Sequence, residues 1–173
     1  MSGSKFSLTG IDEGLSVQIS TTAKGAESPL KIFEAVSQIF PTIERLSSVE
    51  PVFGKCQEQL MSWDGVSLEV FLQKIREQKI LDTALDVMTL NLNNNKTDFS
   101  IVRQAALTGK IAFPIPRDVP LGGVIHVKLE ADHLLDWIQS ATWHEGREQF
   151  PRFIDDERGM DNKGESQVWY DLR

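Results

Sequence analysis

The sequence predicts an α+β domain: a mainly antiparallel sheet, helices packed on one of its faces, and a C-terminal extension. Three observations carry this expectation. Apolar and polar residues alternate over 15–21, 97–113 and 124–130, the period of half-buried strands. Apolar residues recur at helical spacing over 30–40, 68–88 and 134–138. Beyond Trp143 both periods vanish, in WHEGREQFPRFIDDERGMDNKGESQVWYDLR.

Taken in order, residues 1–14 are polar and carry glycines, and read as a flexible arm. Leu15, Val17 and Ile19 then face one way and Ser16, Gln18 and Ser20 the other, which predicts a strand. After a turn at 24–27, Ser28 is placed to cap a helix and Pro29 suits its first position. Leu30, Phe33, Val36, Ile39 and Phe40 give that helix an apolar face, and Pro41 ends it. Ile43, Leu46, Val49, Val52 and Phe53 suggest a strand or an irregular hairpin, interrupted by Pro51 and Gly54 and closed by a turn at Trp63-Asp64-Gly65.

Ser67 caps the next helical pattern. Its apolar residues are Leu68, Phe71, Leu72 and Ile75, then Ile80, Leu81, Ala84, Leu85 and Met88. The spacing slips at 76–79, which fits one bent helix or two that meet there. The asparagine-rich run 91–95 is a turn. From 97 to 113, Phe99, Ile101, Ala105, Leu107, Ile111 and Phe113 share one parity. Arg103 falls on it too, and a buried cation is costly, so a bulge or strand break at Arg103-Gln104 is expected to turn it outward. A loop with three prolines (114–123) leads to a strand with Ile125, Val127 and Leu129 inward. Asp132 caps a short helix carrying Leu134, Leu135, Trp137 and Ile138. Residues 143–173 read as an extension that wraps the body or a partner, anchored by Trp143, Phe150, Phe153, Trp169 and Tyr170. The expected divisions are therefore 1–14, 15–142 and 143–173.

With 40% hydrophobic residues the chain buries a core, and its net charge of −7 disfavours indiscriminate nucleic-acid binding. The acid is concentrated from Leu129 onward, whereas 69–128 holds a slight excess of base. One cysteine, Cys56, excludes an intrachain disulfide and suits a reducing compartment. No apolar run is long enough for a membrane span, and MSGSKFSLTG lacks the pattern of a signal peptide, so a cytoplasmic protein is expected.

No catalytic motif is present. His126, His133 and His144 lack metal-ligand spacing, and Asp155-Asp156-Glu157 reads as solvated acid. No enzyme activity, cofactor or metal is therefore expected. The residues suited to a polyanion are Arg76, Gln78, Lys79, Arg103, Gln104 and Lys110, with Lys74 and Lys128 nearby in type. Cations neutralise phosphate, and amides read base edges or the ribose hydroxyl. The plainer reading makes them solvated surface. The alternative function is a protein-interaction or assembly module, a homodimer, using the acidic C-terminal region against the basic middle.

The pieces LKIFEAVSQIFP (30–41), LEVFLQKIREQKILDTALDVM (68–88), RQAALTGKIAF (103–113), PLGGVIHVKLE (120–130) and LLDWI (134–138) together resemble an archaeal family of uncharacterised RNA-binding-like proteins, once linked to the exosome. REQKILDTA and QAALTGK are the most specific of them. The resemblance spans about residues 15–140. It implies a fold similar to the large-subunit ribosomal protein that binds five-S ribosomal RNA, and hence structured RNA as partner. Some family members are joined to a nucleoside-kinase-like domain, which implies a protein partner. Carried over onto this chain, the polar motif positions are Arg76, Gln78, Lys79, Gln104 and Lys110, with Arg103 beside them; no catalytic residue is implied. The chain departs from the pattern in a longer 51–64 region and in the stretch after Trp143.

Overall fold

The computed structural model describes residues 8–25, 27–44, 58–115, 117, 119–152 and 154. Four strands form one antiparallel sheet: β1 (Ser16–Ala23), β2 (Gln59–Asp64), β3 (Lys96–Val102) and β4 (Val124–Glu130), in the order β2-β1-β4-β3. Side chains alternate across a strand, so one parity of each is buried: Val17 and Ile19, Met61 and Trp63, Phe99 and Ile101, Ile125, Val127 and Leu129. The α+β fold expected from the sequence is therefore present. Two polar residues share the inner face, and each hydroxyl has an acceptor: Thr21 donates to the Val124 carbonyl at 2.8 Å and Thr97 to the Met88 carbonyl at 2.7 Å.

The inner face packs on α1 (Pro29–Ile39), α2 (Glu69–Glu77), α3 (Leu81–Leu90) and α5 (Leu134–Ala141). Phe71 of α2 lies at the centre, its ring 6.3 Å from Phe40 and 5.7 Å from Phe99. The buried face of α1 is Ile32, Ala35, Val36 and Ile39. Leu30, expected on that face, is exposed, and Ser28 makes no side-chain capping bond. In the 42–65 stretch the described strand is β2. It includes Trp63 and Asp64, so the turn comes at Gly65, with φ +64°. Leu46, Val49, Pro51, Val52, Phe53, Gly54 and Cys56 lie outside the described residues.

Of the two arrangements expected around 76–79, the structure has two helices. Lys79 takes φ +58°, and the Ile80 N–H reaches back to the Ile75 carbonyl at 3.0 Å. That six-to-one bond around a left-handed residue closes α2. The alternation of 97–113 breaks at Arg103, where the chain leaves β3 and enters α4 (Arg103–Leu107). RQAAL is rich in good helix formers, so local preference outweighs a parity that Ala105 and Leu107 keep by coincidence. Arg103 turns inward, opposite to the expectation, and its residue is only 5% exposed.

Two end segments also differ from their reading. Residues 9–14, expected as part of a flexible arm, are tied down: Leu68 N–H donates to the Thr9 carbonyl and Leu15 N–H to the Gly10 carbonyl, both at 2.8 Å. Asp132 does not cap α5; its carboxylate accepts from the Asn95 amide at 3.0 Å. After α5 the chain forms α6 (Gly146–Gln149) and runs along α3. Trp143 and Phe150 are exposed there, Phe150 by 80%, so cations rather than these aromatics make the attachment. Phe153, Trp169 and Tyr170 lie outside the described residues. Among the described residues no helix is long and apolar enough to cross a membrane.

Candidate nucleic-acid interface

The residues singled out for a polyanion separate into two places. The first is the junction of α2 and α3. Gln78, the last residue before the left-handed Lys79, reaches across to the strand-like run after α4. Its amide donates to the Ile111 carbonyl at 2.9 Å and accepts the Ile111 N–H at 2.7 Å. One turn earlier Lys74 donates from Nζ to the Gly109 carbonyl at 2.8 Å. The run itself is held to α4, because Lys110 N–H bonds the Ala105 carbonyl and Gly109 N–H the Ala106 carbonyl. This clasp brings the segment carrying Lys110 against the α2–α3 junction that carries Lys79, and Arg76, Lys79 and Lys110 are all exposed to solvent.

Gln78 is therefore a positioning residue whose hydrogen bonds are made within the protein. Gln78→Ala leaves the partly buried Ile111 N–H and carbonyl without partners, and is expected to destabilise the domain by about 2 kcal/mol in denaturant unfolding.

The second place is the far end of α4. The Arg103 guanidinium donates from Nη1 to Thr21 Oγ1 and to the Thr22 carbonyl, each at 3.0 Å, and from Nη2 to Glu27 Oε1 at 2.5 Å. Gly123, at φ +73°, lies against it; a Cβ there would sit 3.1 Å from Nη2. Arg103 thus joins the end of β1, the turn before α1 and the loop before β4, and is not at the surface. Gln104 is exposed but stands against Gly122, away from the Gln78 clasp. Of the six residues, Arg76, Lys79, Gln104 and Lys110 are exposed, and the Gln78 amide joins the segments that carry Lys79 and Lys110.

The outer face of the sheet has a different character. Gln18 donates to Asp64 at 2.8 Å, Lys96 pairs with Glu130 at 2.9 Å, and Ser100 meets His126 Nδ1 at 3.0 Å. A shallow depression at its charged end is lined by Asp64, Asp98 and Glu130 against Lys96 and Lys128. Carboxylates outnumber cations there, which repels phosphate, and the outward residues of the described strands include no Phe, Tyr or Trp for base stacking, His126 being the one ring among them.

An ion network that sequence reasoning missed lies beside the first place. Asp82 and Asp86 stand one turn apart on α3. Asp82 accepts from Arg147 Nη2 at 2.8 Å and from Nε at 3.2 Å, and meets His144 Nε2 at 3.0 Å. Arg152 pairs with Asp86, and Arg147 also donates to the Thr142 carbonyl at 2.8 Å. Spacing gave a partial signal, since residues four apart share a helix face. The partners are more than sixty residues away, and nothing local names them.

Burial pushes the Asp82 carboxyl up, but hydrogen bonds from Arg147 and His144 and their positive charges outweigh it and hold it below its usual 3.8. A carboxyl lowered on folding adds stability above its unfolded value, and that stability is lost as pH falls through the folded one. Unfolding followed from pH 6 to pH 3 is expected to show a steeper acid loss in the native chain than in Asp82→Asn.

No protein-family model matches the chain. Curated relatives do. A UPF0201 protein of Sulfurisphaera tokodaii is 32% identical over 128 residues, covering 72% of this chain and 86% of its own. One from Methanothermobacter thermautotrophicus is 28% identical, covering 70% and 89%. Among solved structures, the UPF0201 protein from Methanococcus jannaschii is 28% identical, with a TM-score of 0.56 over 74% of this chain and 99% of that one. A relative this similar over most of its length, with the same sheet and helix arrangement in three dimensions, establishes that the chain belongs to the UPF0201 family.

Proposed function

We propose that this protein is a noncatalytic RNA-binding protein that contacts structured RNA through Arg76, Lys79 and Lys110. The observation that carries the reading is the Gln78–Ile111 clasp, which joins the two separate segments that carry the exposed Lys79 and Lys110, with exposed Arg76 on the same helix as Gln78. Three cations neutralise phosphates without reading sequence. None of these contact residues is aromatic, which favours the backbone and ribose hydroxyls of a folded RNA over splayed, stacked bases.

The test is fluorescence anisotropy with a labelled RNA stem-loop between 50 and 300 mM salt. Three contacts on a duplex give a log–log slope of roughly −3, from about −0.9 per phosphate neutralised. Absent binding at 50 mM, or binding insensitive to salt, rejects the reading.

A second reading has its own observation. The loop before β4 exposes Ile115, Val119 and Leu121 by 71–87%. Exposed apolar residues this close together suit a protein partner or a second copy. Sedimentation of the native chain and of a variant with all three changed to serine distinguishes the cases: an unchanged monomer in both removes the homodimer.

A further inference from the structure

Residues 143–152 return from α5 to lie along α3, and their charges are sorted by side. His144 and Arg147 meet Asp82, and Arg152 meets Asp86. The Arg147 side chain is only 12% exposed. The acids of the same stretch go the other way. Glu145 and Glu148 are both exposed, and among the described residues neither has an ion pair.

The backbone explains the sorting. Glu145 has helical φ and ψ and leads into α6. The Arg147 N–H bonds the His144 carbonyl and the Glu148 N–H the Glu145 carbonyl, both at 3.1 Å. Residues three apart in a helical turn share a side. His144 and Arg147 therefore turn together onto Asp82, while Glu145 and Glu148, about 100° further round, turn together to water. Two aromatic residues flank the glutamates: Trp143 is 48% exposed and Phe150 80%. α6 buries none of its residues, so the stretch is attached by its cations and its outer surface is left acidic and aromatic.

Like charges at neighbouring positions of one turn repel. A cation set between them relieves that repulsion. An aromatic face beside it adds cation–π attraction, and the planar guanidinium of arginine stacks on such a face. We propose that the outer surface of residues 143–150 docks an arginine-rich segment of a protein partner, with Glu145 and Glu148 pairing the guanidinium groups and Trp143 and Phe150 stacking on them. This surface shares no residue with the RNA-binding reading and takes a ligand of opposite charge, so either stands without the other.

Fluorescence anisotropy of the full chain with a labelled Arg-Gly repeat peptide, at 50 mM salt, tests this. Losing one exposed ion pair corresponds to at most about fivefold in affinity. Glu145→Gln combined with Glu148→Gln is therefore expected to weaken binding on the order of tenfold. Trp143→Leu keeps an apolar side chain but loses the indole face, and is expected to weaken binding about threefold. Its effect on a Lys-Gly repeat peptide should be smaller. The control is Glu34→Gln with Asp98→Asn, which removes two exposed carboxylates from α1 and the outer sheet face and is expected to bind like the native chain.

Native affinity in the Glu145→Gln, Glu148→Gln chain overturns the docking surface. An equal loss in the control also overturns it, because the peptide would then be sensing only the net charge of −7. Absent binding by the native chain does the same. Thermal unfolding is followed for every variant. The two exposed glutamates are expected to be replaced without loss of Tm, so their pair decides the matter even if Trp143→Leu unfolds.

Discussion

Arg103→Ala is expected to destabilise the domain by about 3 kcal/mol, the low end of the range for breaking a buried ion pair, because the Glu27 side chain is 30% exposed and keeps the Lys24 N–H as a donor. The guanidinium is the common partner of Glu27, the Thr21 hydroxyl and the Thr22 carbonyl, and Thr21 is fully buried. Truncation removes the guanidinium from Glu27, the Thr21 hydroxyl and the Thr22 carbonyl, and leaves an unfilled space beside Gly123. In a chain of this size each kcal/mol lowers Tm by about 2–4 °C, so a drop of roughly 10 °C is expected. Denaturant unfolding measures it, and a loss below about 1 kcal/mol would show that the network does not hold the three segments. The folded fraction of the variant should bind RNA with the native salt slope, because Arg103 is not on the cationic surface.

The second large effect concerns binding. The triple variant Arg76→Gln, Lys79→Gln, Lys110→Gln removes three exposed charges, and each such surface change alters stability by only about 0.5 kcal/mol or less. Lys79→Gln keeps a side chain of similar backbone preference at φ +58°, so the helix junction is preserved. Losing three phosphate contacts should flatten the salt slope by about 3 and weaken binding on the order of a hundredfold at 150 mM salt. A triple variant with native affinity and native slope would move the RNA site elsewhere on the molecule or remove it altogether. Measuring Gln104→Ala beside it separates the two ends of α4: its position against Gly122 predicts no change in slope.

Much of the architecture was legible before any coordinates. β4 spans the stretch whose alternation marked it, and Leu15, Val17 and Ile19 are buried as their parity requires. The slip at 76–79 signalled an interruption between helical patterns, and the left-handed Lys79 is its cause. Short segments were read less well. The five residues of α4 carry too little periodicity to oppose the alternation on either side, and Leu30 looked buried because the first turn of a helix holds no record of which side meets the core.

The candidate surface was legible as residue types and not as a place. The run from Arg76 to Lys79 is adjacent in sequence, but Lys110 joins it only through the Gln78 amide, and no spacing rule connects position 78 with 111. Arg103 shows the opposite error. Cation burial was judged by its cost alone, while the compensating groups, Glu27 and the two threonines, lie about eighty residues upstream.

By itself the sequence determined the longer strands and helices, because period 2 and period 3.6 are properties of neighbouring residues. It also determined that the middle of an acidic chain keeps an excess of base. Only the tertiary structure decided which charges remain available. Arg103 is drawn into the body by Glu27, Arg147 and Arg152 are drawn onto α3 by Asp82 and Asp86, and Arg76, Lys79 and Lys110 are left facing water. The physical reason is that the fate of a charge depends on the partners within a few ångströms of it. In this fold those partners come from segments tens of residues away.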